Sequence, residues 1–325
     1  MPDLKDKRVL ALCGGVGGAK LALGLSKILS GDQLTIAVNT GDDFEHLGFY
    51  ISPDLDTVTY TLAGLSDPDK GWGRADETWS FMEALRSLGG EDWFDLGDKD
   101  LALHAERTKC LKAGQSLTSV TDSICRRLGI TNRIVPMTDY PVRTIVDTDE
   151  GALSFQHYFV RDKCAPRINV IEFSGAEDAQ PSPGFKVALA DEDLDSIVIC
   201  PSNPYLSIDP ILAVSGVRNL LKARTAPLIV VSPIISGRAI KGPIAKIMTE
   251  LDLEISTLSI AKHYGSLIDG YVIDLADERD SRDLQDLGFA VRCAPTLMQS
   301  LKDRVVLARH VLDFGQELKQ VRKSG

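Results

Sequence analysis

The sequence predicts an α/β fold with a mostly parallel sheet and helices on both faces. Short apolar runs rich in branched residues are typical of buried strands, and they occur at 8–12, 34–39, 196–200 and 227–232. Longer amphipathic stretches, typical of helices, occur at 21–29, 210–221 and 301–318. The first strand, helix and second strand together have the length of a right-handed parallel βαβ unit.

We expect the chain to form one main domain with an inserted lobe, because 325 residues exceed the size at which a single core stops growing. Residues 1–66 would form the first part of the core. Residues 67–175 would form a mixed lobe of helices followed by antiparallel strands at 133–146 and 153–160, and residues 176–325 would complete the core. The polar, proline-containing segment 176–183 is the best linker candidate.

Composition excludes several classes of protein. A net charge of −10 argues against nucleic acid as a partner, because nucleic-acid binding requires a basic face. No apolar run approaches the length of about eighteen residues that a membrane span needs. The charged N-terminus lacks the apolar core of a secretion signal, and the six cysteines form no CxxC pair. We therefore expect a cytoplasmic protein with reduced thiols.

A glycine-rich segment follows the first predicted strand. Its glycines are Gly14, Gly15, Gly17 and Gly18. They would let the backbone turn with positive φ and bring the free N–H groups of the next helix to an anion, with the charge of Lys20 nearby. The segment is not a Walker A loop, because Leu21 supplies no hydroxyl, and Lys20 replaces the third glycine of the dinucleotide motif. The alternative is a tight turn without a ligand.

Four acids follow this loop and indicate a magnesium site. Asp42 comes directly after the second strand, and Asp54 and Asp56 lie two residues apart before a helix predicted at 58–65. In an extended segment Asp54 and Asp56 would share one face, and carboxylate oxygens suit Mg²⁺. Asp43 adds to the cluster. Alternatively, Ser-Pro-Asp at 52–54 is an ordinary helix start.

Aromatic and titratable side chains follow in the predicted lobe. Trp72 and Arg74, interleaved with glycines, could stack a planar ring, although tryptophans are more often core anchors. Farther along, the spacing of Asp100, His104 and Arg107 predicts one face of a helix. His104 is a candidate for acid–base chemistry because acids surround it, although a lone helical histidine is usually structural.

Two later loops add polar groups at predicted strand ends. Ser202 and Asn203 follow the strand at 196–200, and the Asn203 amide suits a purine edge or a phosphate. Ser232 and Lys241 belong to a second glycine-bearing loop, which predicts another anion-binding turn.

Taken in order, these motifs resemble the 2-phospho-L-lactate transferase family, which assembles the deazaflavin coenzyme F420. The resemblance extends from Arg8 to Leu318 and rests on GGVGGAK (14–20), NTGDD (39–43), ISPDLDT (51–57), GWGRADETW (71–79), LGDKDLALH (96–104), PSNP (201–204) and SPI with the following KGPIAK (232–246). It implies a Rossmann-like fold and a donor in which guanosine diphosphate carries a phospholactyl, phosphoenolpyruvyl or phosphoglyceryl unit. The acceptor would be the ribityl hydroxyl of the deazaflavin precursor Fo, and GMP would leave in the presence of Mg²⁺.

The resemblance also implies roles for individual residues. The four glycines and Lys20 would hold the donor phosphates, and Asn203 would meet the guanosine end. Asp42, Asp54 and Asp56 would hold the metal or orient the acceptor hydroxyl, and Asp56 would be the general base if one acts. Asp95 stands where some members carry a lysine near the deazaflavin, so that contact would be absent or remade by Lys99.

Two other functions are also compatible with the sequence. One is a related nucleotide-sugar-binding regulator without transferase activity, and the other is an NAD(P)-dependent oxidoreductase. Lys20 and the paired acids disfavour the oxidoreductase, because a dinucleotide site needs a third glycine and a single ribose ligand. The motifs do not encode which three-carbon acid the donor carries. A homodimer is expected only because it is the commonest oligomer.

Overall fold

The computed structural model describes residues 7–239 and 242–324 of the chain. Its strands are β1 (Val9–Cys13), β2 (Leu34–Val38), β3 (Phe44–His46), β4 (Phe49–Ile51), β5 (Arg133–Pro136), β6 (Arg143–Thr148), β7 (Gly151–Ser154), β8 (Ile168–Ser174), β9 (Ser196–Ile199), β10 (Leu228–Val231), β11 (Ile234–Ile235), β12 (Arg238–Ala239), β13 (Gly270–Asp274) and β14 (Ala290–Ala294).

The α-helices lie between and after these strands. They are α1 (Gly15–Ser26), α2 (Pro53–Ala63), α3 (Ser80–Ser87), α4 (Asp98–Lys112), α5 (Leu117–Arg127), α6 (Pro183–Leu189), α7 (Asp209–Ala213), α8 (Val217–Ala223), α9 (Ile244–Glu250), α10 (Thr257–Tyr264), α11 (Ser281–Asp286) and α12 (Leu301–Ser324). Wider π-type turns occur at His157–Arg161 and Pro204–Ile208, and 3-10 turns occur at Gly265–Leu267 and Leu275–Asp280.

A seven-stranded sheet in the order β14-β13-β10-β9-β1-β2-β5 forms the centre of the fold, and its neighbouring strands are parallel. The chain moves outward from β1 through β2 to β5, and then returns to β9 on the other side of β1. The strand order therefore reverses between β1 and β9. In open α/β sheets such a reversal leaves a crevice at the carboxyl ends of the strands, where ligands bind.

Alternating strand residues build one apolar core on each face of the sheet. Leu10 and Leu12 pack with Phe185 of α6, whereas Val9 and Ala11 pack with Leu307 of α12. Strands buried on both faces need a nearly continuous apolar sequence, which is the pattern that the runs in the sequence show. The predicted α/β class, with helices on both faces, is confirmed. In the part of the chain that the structure describes, no helix combines the length and the apolar character of a membrane span.

The predicted antiparallel segments are only partly correct. β6 pairs with β7 and β8 in an antiparallel sheet, but β5 joins the central parallel sheet beside β2. The predicted strand at 153–160 continues beyond β7 into the π-type turn at His157–Arg161, and β8 was not predicted. Segment 176–183 is packed rather than loose, because Ala176 and Ala179 are buried.

The glycine segment has a different structure from the expected loop. α1 begins at Gly15 instead of Leu21, and of the four glycines only Gly15 has a positive φ, +62°. Gly17 lies within the helix, where a Cβ atom would stand 2.1 Å from the carbonyl oxygen of Pro201. The glycines therefore serve mainly to let α1 approach the loop after β9, and only one of them makes the turn.

Candidate functional site

A cleft of about 590 Å³ lies at the carboxyl ends of β1, β2 and β9, where the strand order reverses. Most of the residues that the sequence predicts as site residues line it: Gly14, Gly15, Gly17, Lys20, Asp42, Asp54, Asp56, Trp72, Ser202, Asn203 and Ser232. The fold thus brings segments that are far apart in sequence together in one site.

Three predicted site residues are not among those that line the cleft. Gly18 is packed so closely that a Cβ atom would stand 2.5 Å from Ser202 Oγ. The Arg74 guanidinium lies 5.6 Å from the centre of the Tyr60 ring. Lys99 Nζ is 2.5 Å from the backbone carbonyl of Asp76, to which it donates. Lys241 falls outside the described residues.

Asp95, the position where the sequence departs from the resembled family, does line the cleft. Its Oδ1 accepts a hydrogen bond of 2.6 Å from Arg86 Nη2. The side chain of Lys99 is directed to a backbone carbonyl, so in this conformation it does not replace a cleft lysine at position 95.

The start of α1 meets a carboxylate. Ser202 Oγ accepts from the Gly14 N–H at 3.2 Å and donates to the Gly14 carbonyl at 2.8 Å, which ties the loop after β9 to this turn. A Cβ atom on Gly14 would stand 2.4 Å from Asp54 Oδ2. The positive end of the helix dipole therefore faces Asp54, and an anion that binds there would lie beside this acid.

Asp42 and Asp54 are held together by one amide group. Asn39 Nδ2 donates to Asp42 Oδ1 at 3.2 Å and to Asp54 Oδ2 at 3.0 Å. Burial, followed by repulsion from Asp54 and Asp43, raises the pKa of Asp42 well above its usual range. Burial also raises the pKa of Asp54 to about 6, although hydrogen bonds from Asn39 and the Gly15 N–H oppose the shift. Two carboxylates in this arrangement favour a proton or a cation between them.

Asp56 does not share a face with Asp54, because the segment is helical and not extended. α2 begins at Pro53, and side chains two residues apart on a helix point about 160° apart around its axis. Both oxygens of Asp56 accept from the buried guanidinium of Arg107, one of them from Nη1 at 3.1 Å. The expected common face is thus wrong, while a role of Asp56 as metal ligand or general base stays a prediction.

The start of α2 also differs from an ordinary capped helix. Pro53 occupies its first turn, as expected, but Ser52 makes no side-chain cap. Its Oγ instead donates to Asp43 Oδ2 at 2.8 Å, and Tyr50 OH donates to the same oxygen at 3.0 Å. Burial raises the pKa of Asp43 to about 7 despite these contacts and the nearby Arg143.

The predicted helical face of Asp100, His104 and Arg107 is confirmed in α4. His104 is 1% exposed, with Nε2 3.4 Å from Asp100 Oδ2 and Nδ1 3.7 Å from Asp56 Oδ2. Within the described part of the chain, neither ring nitrogen makes a well-formed hydrogen bond. Tyr60 OH donates to Asp100 Oδ1 at 2.5 Å. The sequence reveals the spacing on α4, but not that α2 supplies the facing side chains.

Asn203 has one engaged and one unengaged polar atom. Its Oδ1 accepts from the backbone N–H groups of Tyr205 and Leu206, at 3.0 and 3.2 Å, and so caps the turn at Pro204–Ile208. Its Nδ2 is buried and has no hydrogen-bond partner among the residues that the structure describes, and the residue lines the cleft. A buried unpaired donor costs free energy, which a ligand acceptor would recover.

Aromatic rings form one wall of the cleft. Trp93 and Phe94 lie with their ring centres 5.7 Å apart, and the stacked rings of Phe155 and Phe159 lie 5.3 Å apart. Trp72 is 51% exposed, so it is not a core anchor. The sequence predicts a ring-binding role only for Trp72, because Phe155 and Phe159 lie in the segment 153–160 predicted as strand.

The chain matches the family model of 2-phospho-L-lactate transferase CofD over residues 9–297. It belongs to the CofD family. This assignment agrees with the resemblance that the sequence motifs indicated, and it favours a transferase over the oxidoreductase alternative. The match also covers all seven strands of the central sheet, so the family model and the fold describe the same part of the chain.

CofD-family relatives are similar over nearly their full length. The "Phosphoenolpyruvate transferase" of Kitasatospora aureofaciens is 40% identical over 319 residues, which cover 96% of this chain and 99% of that protein. The protein of the same name from Thermobifida fusca is 37% identical over 327 residues, with the same coverage. A solved structure, a member of the UPF0052 family from Bacillus halodurans, has a TM-score of 0.63 at 17% identity and covers 95% of this chain and 100% of its own. That likeness shows a shared fold.

The buried pair of Asp56 and Arg107 can be tested by a double-mutant cycle. We expect Arg107→Met to lower the free energy of unfolding by about 3–5 kcal/mol, because it leaves a buried carboxylate without its partner. Adding Asp56→Leu should restore much of the loss. Denaturant unfolding followed by circular dichroism measures both changes.

The exposed pair of Asp122 and Arg126, 2.8 Å apart on α5, is the matched control. Arg126→Met should cost less than about 1 kcal/mol, because water already solvates that pair. Additive losses in the Asp56 and Arg107 double variant would contradict a direct interaction.

Proposed function

We propose that this CofD-family protein transfers a phosphoenolpyruvyl unit from a guanosine diphosphate-linked donor to the ribityl hydroxyl of the deazaflavin precursor Fo. GMP is released, and the reaction belongs to coenzyme F420 biosynthesis. The observation that carries the proposal is the cleft at the strand-order reversal, in which the start of α1 meets the Asp54 carboxylate and Asn39 links Asp54 to Asp42. The names of relatives with 36–40% identity support phosphoenolpyruvate among the three acids.

The donor would lie along the floor of the cleft. Its diphosphate would face the N–H groups at the start of α1, the Ser202 hydroxyl and Lys20, whose Nζ also donates to the Met298 carbonyl at 3.1 Å. The guanosine end would accept a hydrogen bond from Asn203 Nδ2. This arrangement uses backbone groups for the phosphates and one side-chain amide for the base or its sugar.

The residues of the cleft fit a magnesium ion at Asp42 and Asp54. These hard oxygen ligands are buried together. Burial raises the pKa of both carboxyl groups, and repulsion from Asp54 adds to the rise at Asp42. When bound, Mg²⁺ would supply positive charge to the diphosphate. Asp56 fits this role less well, because Arg107 already compensates its charge.

The acceptor would place its ring system against the wall of Trp93, Phe94, Phe155 and Phe159. Its hydroxyl oxygen would form a bond to the phosphorus that bears the three-carbon acid. The bond from this phosphorus to the bridging oxygen would break, and GMP would leave with the electron pair. The hydroxyl proton would pass to solvent or to a cleft carboxylate.

The direct test supplies the three candidate donors separately, with Fo and Mg²⁺, and identifies each product by mass. We expect the phosphoenolpyruvyl donor to give the highest kcat/KM, with GMP formed in equal amount. Preference for the phospholactyl or phosphoglyceryl donor would change the acid but keep the transfer. If the chain binds GDP but forms no product from any donor, the nucleotide-binding regulator becomes the better description.

The Asn203 amide gives a second prediction. In Asn203→Asp the cap on the turn at Pro204–Ile208 is kept, because an oxygen still accepts from Tyr205 and Leu206. The donor group facing the cleft is lost and replaced by an acceptor. We expect the KM for the guanosine donor to rise by about 10–100-fold, with a smaller change in the KM for Fo.

Steady-state kinetics with each substrate varied measures these constants. Asn169→Asp, at an exposed position in β8, is the matched control and should leave both KM values unchanged. Equal increases in both KM values for Asn203→Asp would argue against a contact with the donor alone.

Asp54 gives a prediction about metal. Asp54→Asn removes one of two buried, mutually repelling charges, so its melting temperature without Mg²⁺ should equal or exceed that of the wild type. Saturating Mg²⁺ should raise the melting temperature of the wild type by a few degrees and that of the variant much less. Transfer should fall by at least about 100-fold.

Calorimetry with and without EDTA measures the shift, and product formation measures the transfer. The exposed Asp122→Asn serves as control because it removes a carboxylate of the same type from α5. An undiminished Mg²⁺ shift in Asp54→Asn would remove this residue from the metal site.

A further inference from the structure

Gln156 lies where the two parts of the proposed acceptor site meet. It directly follows Phe155, whose ring belongs to the aromatic wall, and its Nε2 donates to the backbone carbonyl of Asp42 at 3.4 Å. Both of these neighbours line the cleft, and so does Gln156 itself. A molecule with its rings on the wall and its reacting end at the Asp42 and Asp54 pair therefore passes beside this side chain.

The turn that follows Gln156 holds its backbone in place. Gln156 is the residue immediately before the π-type turn at His157–Arg161. Tyr158, within the turn, is fully buried, and Lys246 of α9 donates to its hydroxyl at 3.2 Å. π-type turns occur frequently at functional sites. The same anchored turn carries Phe159 of the wall, so the amide and the wall are positioned together.

The Gln156 amide has unused hydrogen-bonding capacity. A side-chain amide offers two N–H donors and an oxygen that can accept twice. In the described part of the chain this amide makes a single hydrogen bond, the long one to the Asp42 carbonyl. The side chain is nevertheless only 4% exposed. Buried polar groups with unmade hydrogen bonds cost free energy, which a ligand that both donates and accepts would recover.

The position of Gln156 in the fold indicates which substrate supplies that ligand group. The groups assigned to the donor come from the start of α1 and from the loop after β9, whereas Gln156 belongs to the segment after β7 that supplies two rings of the wall. The acceptor has hydroxyl groups on the chain between its rings and its reacting end. A hydroxyl donates and accepts, as the amide does, and brings no charge beside the buried acids.

We propose that the Gln156 amide binds the internal hydroxyls of the acceptor chain and so selects an acceptor with a polyol chain. This inference rests on the proposed function, because it takes the ribityl compound Fo as the acceptor. A site built to hydrogen-bond a hydroxyl discriminates against analogues that lack it, because its own polar groups are then left unpaired. Gln156 would bind and orient the chain, and it would exchange no proton with the substrate.

Calorimetric titration without donor tests this with two ligands. One is Fo, and the other is an analogue whose chain is an unbranched alkyl alcohol of the same length. Both have the ring system and the terminal hydroxyl, so they differ only in the internal hydroxyls. Gln156→Met keeps the approximate length of the side chain but removes the amide. From the wild type to this variant, the affinity for Fo relative to that for the analogue should fall by about tenfold.

Kinetics with each substrate varied gives a second readout. Gln156→Met should raise the KM for Fo by more than the KM for the guanosine donor. Gln115→Met, at an exposed position between α4 and α5, is the matched control and should leave both the affinity ratio and the two KM values unchanged. An unchanged affinity ratio in Gln156→Met, or a rise confined to the KM for the donor, would overturn the proposal.

The same measurements separate this inference from the proposed function. If the wild type binds Fo and forms product but Gln156→Met keeps the wild-type affinity ratio, only the inference is wrong. If the wild type binds neither ligand, the proposed acceptor is wrong and the inference with it. If circular dichroism shows that Gln156→Met does not fold, a crystal structure of the wild-type protein with Fo decides. We expect the amide within about 3.2 Å of a chain hydroxyl, and a chain that runs out of its reach would contradict the proposal.

Discussion

Uncompensated negative charge at the floor of the cleft is the constraint on which the site depends. Four carboxylates line the cleft there, those of Asp42, Asp54, Asp56 and Asp100. The Asp43 carboxylate is buried next to them but does not line the cleft, and the guanidiniums beside these acids belong to Arg107 and Arg143. The excess of acid is distributed unevenly. Asp56 takes the direct ion pair with Arg107, while Asp42, Asp43 and Asp54 have pKa values raised by burial. These three carboxylates are the groups that a proton, a cation or a positively charged substrate group would stabilise.

The reversal of strand order determines where this charge can be used. β1 and β9 are neighbours in the sheet but lie far apart in sequence, so their carboxyl ends bring the start of α1 beside Ser202 and Asn203. The same edge carries the loop after β2, with Asn39 and Asp42. A helix terminus that favours anions and an acid pair that favours cations therefore stand side by side. A metal-bound diphosphate satisfies both, which is the physical basis of the proposed donor position.

The sequence predicted the central sheet well because its signal is local. Strands buried on both faces read as continuous apolar runs, and the glycine and acid motifs fall directly after them. The start of α1 was predicted too late, because the glycines indicated a loop. Gly17 is instead needed where α1 packs closely against Pro201, and this contact depends on tertiary packing. Asp56 was grouped with Asp54 for a similar reason. The two acids have different surroundings because the segment is helical and because Arg107, on another helix, pairs with Asp56.

Polar contacts link α2 and α4, in the segment between β4 and β5, beside the apolar contacts that Leu55 and Val58 of α2 make with the core. Tyr50 N–H donates to Thr108 Oγ1 of α4 at 2.7 Å, and Tyr60 OH of α2 donates to Asp100. Arg107 of α4 pairs with Asp56 at the floor of the cleft. This ion pair therefore also holds α4 in position beside α2. Because Trp93 and Phe94 lie just before α4, a change of charge at the floor would act on the aromatic wall through the same contacts.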